Sequence, residues 1–215
     1  ETLEHPFFNV LRPFINDMRK EHPPIPEPPN DVHIIDCIER RWAVNLVIKL
    51  YNKRDDLNWY SDHIIFHSIR LFDEYLDKFY RKDNISMKNR TVKGVGKLNT
   101  ELEVNIYFYT CIYIMYKYFS TLYRIYTWDN IFPPYISTKE NKGKIIKFER
   151  FIVKNVCNYI VFKPTLIEYL DRDYKKQDYE HNDLDIMKYL YNYVNINVEY
   201  TGNMEDLYLQ IKHGL

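Results

Sequence analysis

The sequence predicts an all-α protein. Three observations carry this. First, from Val104 to Phe119 only Asn105, Thr110 and Lys117 are neither apolar nor aromatic. That run is too long for a strand, since strands cluster near ~5–6 residues, and a helix apolar on every side must be enclosed by other elements. Second, most of the remaining chain carries apolar residues at spacings of three and four, the period of a helix with one buried face. Third, the 215 residues include only 5 Gly, and no β-hairpin signal is present.

The elements follow in order. Residues 1–20 carry Phe7, Phe8, Val10, Leu11, Phe14, Ile15 and Met18 at helical spacing. The Pro-rich run His22 to Asn30 is an extended connector, so residues 1–30 are expected to form a docking helix and its tether. A first main helix is expected from Val32 to Lys53, with Ile34, Cys37, Ile38, Val44 and Ile48 on its buried arc and Arg41 near the arc's centre. A second is expected from Ser61, a capping candidate, to Tyr80, with Asp73 inside its stripe of Ile65, Phe66, Ile69, Phe72, Leu76 and Tyr80. The polar, basic segment Arg81 to Asn99 is expected to be an exposed loop. The hub helix, Leu102 to Phe119, comes next, then a short helix around Trp128 to Phe132. A helix from Lys139 to Asn158 is expected to bury Ile145, Ile146, Ile152, Val153 and Val156, with Glu149 in the middle of that arc. Pro164 opens a helix over Thr165 to Leu170, and helical patterns recur over Leu184 to Val194 and Met204 to His213.

Composition limits the function classes. Lys plus Arg equals Asp plus Glu, 30 of each, so net charge does not point to nucleic acid or an anionic membrane. The hub lies between Glu103 and Lys117, too short for the ~20 apolar residues a bilayer needs. Cys37, Cys111 and Cys157 are odd in number, far apart and in apolar contexts, and are expected to be buried thiols. With no signal-peptide pattern, an intracellular protein of the nucleus or cytoplasm is expected. The 21 Tyr, with abundant Ile, Asn and Lys, match an AT-rich coding sequence.

Other patterns fall short. His63 and His67 are spaced like two ligands on a helix, but Ile64, Ile65 and Phe66 lie between them; the metalloprotease glutamate is absent. Solvent-facing histidines and no metal are expected. The segment Gly94 to Thr100 fails as a phosphate loop, because Thr91 holds the first glycine slot and Leu98 follows Lys97. No nucleophile, base and orienting group converge, so neither enzyme activity nor a cofactor is expected.

Arg41, Asp73, Lys117 and Glu149 each fall on a face that should be buried. Buried ions are normally paired, and the simplest pairing is Arg41 with Asp73 and Lys117 with Glu149. These positions also carry a resemblance. RRWAVNLVIKLY, LFDEYL, CIYIMYKYFS, FERFIVKNV and FKPTLIEYL together resemble the cyclin box over about Asp36 to Leu170. In that family an arginine opens the first helix and an aspartate closes the second. A lysine ends the third, a glutamate sits in the fifth, and a Pro-Thr pair follows. Arg41, Asp73, Lys117, Glu149, Pro164 and Thr165 occupy those slots in order.

The resemblance implies a single cyclin-box five-helix bundle around the hydrophobic hub, spanning residues 31–170, with a C-terminal helical extension over 171–215. It further implies a regulatory subunit that binds and activates a cyclin-dependent-type protein kinase through Lys117 and Glu149, with Arg41 and Asp73 as a structural pair. Without its kinase the chain is expected to be a monomer. The alternatives are a cyclin-fold transcription or nucleic-acid adaptor using the basic loop, or an interaction module that does not bind a kinase. Two departures are visible: Tyr113, Met115 and Tyr116 stand where the family has small residues, and the substrate-docking slots hold Arg40, Ala43, Val44 and Val47. Deleting Asp83 to Gly96 is expected to leave the fold intact, checked by the yield of soluble protein and its far-UV circular dichroism.

Overall fold

The computed structural model describes residues 31–51, 62–81, 100–119, 128–156, 163–177, 183–196 and 199–214. Its centre is a helix over Glu101–Phe119 (α3), buried at Val104, at every position from Ile106 to Ile112, and at Ile114, Met115 and Tyr116. The Thr100 hydroxyl caps its start, accepting from the Glu103 amide at 3.2 Å. The buried Thr110 hydroxyl donates to the Ile106 carbonyl at 2.7 Å, which satisfies that group within the helix; the buried side-chain oxygen of Asn105 has no such partner among the described residues. Such a helix needs walls on several sides, and Ile38–Tyr51 (α1), Asp62–Arg81 (α2) and Lys139–Asn155 (α5) supply them.

The remaining elements are a strand at Asp31–Ile34 (β1), a single turn at Trp128–Ile131 (α4), helices at Leu166–Gln177 (α6) and Asp183–Val194 (α7), a strand at Tyr200–Asn203 (β2) and a final helix at Met204–His213 (α8). The described residues are thus mostly helical, as expected, with the apolar run at the hub. None of their helices is long and apolar enough to cross a membrane. The expected N-terminal helix, the connector, the basic loop after Arg81 and Cys157 lie outside the described residues; Cys111 is buried and Cys37 half-buried.

Three expectations are corrected. Residues 31–34 do not begin the first helix. They pair antiparallel with β2, Val32 opposite Gly202 and Ile34 opposite Tyr200. Val32 and Ile34 are buried while Asp31 is exposed and His33 half-buried, the period-two burial of a strand. Without those residues the phase of the first helix changes: α1 buries Ala43, Leu46, Val47, Leu50 and Tyr51, while Ile38 is exposed. Lastly, α6 continues past Leu170 to Gln177 and so crosses the expected 170/171 boundary.

In α5 the buried arc is Ile145, Phe148 and Ile152, joined by Asn141. Ile146 is exposed, and Glu149 lies on the flank of the arc, not at its centre. Adjacent isoleucines cannot both face inward, and Phe148, three residues after Ile145, settles which does. Its ring stacks on Tyr107 at 4.1 Å and 16° and meets the edge of Tyr75 at 4.9 Å and 90°. Aromatic pairs thereby fill the space around the hub. Phe148→Ala should destabilise the protein by ~3–5 kcal/mol, read as a lower denaturant midpoint with an unchanged slope.

Candidate functional site

Four charges were expected to form two pairs: Lys117 meets Glu149, but the expected pair of Arg41 with Asp73 does not form. Asp73 on α2 bonds Arg40, not Arg41. The guanidinium Nε donates to Asp73 Oδ1 at 2.8 Å, and Nη2 reaches Oδ2 at 3.4 Å. Arg41 points outward and pairs with Asp36 at 2.8 Å, its side chain 65% exposed. The reason is the phase of α1: Arg40 lies three residues before Ala43 and seven before Val47, both inward-facing, so it shares their side of the helix.

Arg40 does more than neutralise Asp73. Nη1 donates to the carbonyls of Val194 and Ile196, at 3.2 and 3.0 Å, and Nη2 to that of Tyr193 at 3.1 Å. These are the open carbonyls at the C-terminal end of α7, where a cation also meets the helix dipole favourably. The Tyr193 hydroxyl donates to Asp73 Oδ2 at 3.2 Å. Burial works against the Arg40 charge, but Asp73 outweighs it and moves the guanidinium pKa upward. At Asp73 burial is the largest influence and lifts the carboxyl, with Arg40 and Tyr193 pulling it back. A second buried arginine, Arg70, donates to the carbonyls of Pro164 and Asp31 and to Glu74, tying α2 to the start of α6 and to β1. Neither Arg70 nor Tyr193 was singled out from the sequence.

Lys117 and Glu149 meet as expected, and the pair lies at the surface. The ammonium donates to Glu149 Oε1 and lies 4.3 Å from the centre of the Tyr113 ring. The side chains are 43% and 22% exposed, placing the pair at the rim where α3 leaves the core beside α5. Tyr118 and Ile146, also exposed, are neighbours of the pair in sequence; Ile146 shares the face of Glu149, three residues away on α5. Arg40, Ala43 and Val47, in the substrate-docking slots, are buried inside the bundle.

The histidines are not solvent-facing. His67 is buried, His63 half-buried, and both contact Glu168 on α6. Burying an imidazole requires a partner, and α6 brings one. A local signal for Glu168 exists: Thr165-Leu166-Ile167-Glu168 is a capping box, and the Thr165 amide and hydroxyl both donate to Glu168 Oε2, at 2.7 and 2.6 Å.

No protein-family model, no curated protein and no solved structure matches this chain. The roles of these residues therefore rest on their own geometry. Asp73→Ala strands the buried guanidinium of Arg40 and should cost ~3–5 kcal/mol. Arg41→Ala should leave the unfolding midpoint where it is. Parallel urea titrations of Arg40→Ala and Arg41→Ala distinguish the two arginines: equal sensitivity at positions 40 and 41 would contradict the observed partner.

Proposed function

We propose that this protein is a cyclin-like regulatory subunit, built on a cyclin-box arrangement of α1, α2, α3 and α5, that binds a protein kinase of the cyclin-dependent type and favours its active state. The observation that carries this reading is the ordered set of two ion pairs. With the arginine slot moved from Arg41 to Arg40, the set is Arg40 and Asp73 inside the bundle, then Lys117 and Glu149 at its rim, in the order and on the helices that the resemblance implies.

The two pairs support different parts of the role. Arg40 and Asp73 hold helices together and offer nothing to a partner. Lys117 and Glu149 are exposed enough to be reached and close enough to act as one unit. An ammonium has three donors and a carboxylate several acceptor positions, so the pair can take up backbone carbonyl and amide groups at the end of a partner helix. Ile146 and Tyr118 provide apolar and aromatic surface nearby, the kind of group that carries binding energy when an interface excludes water. In this reading the partner element is the mobile helix of the kinase small lobe, which bears the glutamate that pairs with the ATP-orienting lysine. Binding that helix only in its inward position shifts the kinase toward its active population. The regulatory chain itself does no chemistry.

The double substitution Lys117→Ala with Glu149→Ala tests this. A part-exposed pair contributes about 1 kcal/mol or less, so the variant should fold with nearly the wild-type melting temperature. Affinity capture from the native cell, followed by mass spectrometry, should recover a kinase with the wild-type chain and lose it with the variant. A folded variant that still captures and activates the kinase would falsify the assignment of this surface.

A further inference from the structure

We propose that His63, His67 and Glu168 form a zinc-binding site that ties α2 to α6, with Asp171 and Thr165 as positioning residues behind the ligands. His63 and His67 stand four residues apart on α2, so both rings leave the same face of the helix. Opposite them α6 presents Glu168 and, three residues on, Asp171. Glu168 Oε1 lies 2.5 Å from His67 Nε2 and 3.2 Å from His63 Nδ1. One ligand atom from each of His63, His67 and Glu168 falls within 4.8 Å of the others. Nitrogen and oxygen ligands at ~2.0–2.2 Å from a tetrahedral zinc lie about 3.4 Å apart, so the three reach that geometry by shifts of roughly an ångström.

The groups behind the ligands make this more than a chance cluster. A zinc-bound histidine ordinarily donates its second ring N–H to a carboxylate, which fixes the tautomer and turns the other nitrogen toward the metal. His63 is placed that way: Nδ1 faces Glu168, and Nε2 lies 3.1 Å from Asp171 Oδ2. Glu168 is held likewise. Its Oε2 takes both donors of Thr165, which leaves Oε1 on the histidine side. The Phe119 ring covers the pair, 4.9 Å from the His67 ring and 6.1 Å from that of His63. The far side opens to solvent through a cleft lined by His63, Glu168, Asp171, Arg172 and Lys175, which gives an entry path. Arg172 at the rim is paired with Glu205 at 2.7 Å.

Two histidines and one carboxylate suit zinc better than calcium or magnesium, which select all-oxygen sites. Three protein ligands leave a fourth position for water. Binding here stabilises the folded chain, because the ligands converge only when α2 and α6 are docked.

The test uses the full chain, stripped with a chelator and titrated with zinc chloride against a chromophoric competitor. One equivalent should bind and raise the melting temperature, and cobalt(II) in its place should give the intense visible bands of a low-coordinate site. His63→Ala, at the half-buried position and so the least disruptive of the set, should abolish the temperature shift and weaken that equivalent at least tenfold. Thr165→Val, which keeps all three ligands, should weaken it by roughly 10–100-fold. Cys37, Cys111, Cys157 and the other histidines offer competing sites. An equivalent that survives unchanged in His63→Ala therefore overturns the proposal, as does a wild-type chain whose melting temperature does not respond to zinc.

Discussion

The fold depends on one buried charge. Arg40 sits where three helices meet, and each of its bonds goes to a different obligation: the carboxylate of Asp73 on α2, and the terminal carbonyls of α7 at Tyr193, Val194 and Ile196. A lone guanidinium in that position would be prohibitive, and a lone carboxylate equally so. Together they require that α1, α2 and α7 be in register. The apolar core around α3 tolerates small displacements, because dispersion and area burial have no preferred direction. The Arg40 network does not, because five donors in a planar fork must find acceptors in fixed places. The C-terminal helices are therefore part of the same unit as the hub.

Much of this was legible in the sequence, for reasons that differ by element. The hub was readable because no other element type accommodates so long an apolar run. The last helix was readable to the residue: Asn203 caps it, accepting from the Glu205 amide, and Gly214 ends it with a left-handed φ of 75°, so both stop signals lie in the local chain. The first helix misled by one position. It has apolar residues on two sides, and counting Ile34 as helical tips the wheel toward Arg41. Only the pairing of β1 with residues near the C-terminus removes Ile34, and nothing local records that. The candidate site divides along the same line. Lys117 and Glu149 could be paired because each is a charge on an otherwise apolar helix face, whereas Glu168 reaches His63 across 105 positions, by the docking of two helices that each look self-sufficient.

The two ion pairs also show why a charge on a helix wheel is ambiguous evidence. Arg40 with Asp73 and Lys117 with Glu149 look alike in sequence, each a charge within an amphipathic or apolar helical stretch. In the fold the side chains of the first pair are 4% and 1% exposed and those of the second 43% and 22%. The first is enclosed by backbone carbonyls and a tyrosine hydroxyl; the second shares its surroundings with water. Depth decides whether a pair constrains the fold or remains available to another molecule, and depth depends on whether the helix continues beyond the charge. Arg40 precedes three further turns of α1, whereas α3 ends two residues after Lys117.

The two-stranded sheet has a bearing on how the chain is made. His33 and Thr201 are joined across 168 positions, so β1 emerges from the ribosome long before its only described ladder partner. At ~5–20 residues per second the interval is on the order of ten seconds or more. Until β2 is made, residues 31–34 lack the ladder partner that satisfies their backbone groups in the fold, and unpaired strand-forming segments are the kind that recruit other strands. β1 is only four residues long, and a four-residue edge offers little template to a neighbouring chain. The brevity of β1 thus limits the length of open backbone that precedes the synthesis of β2.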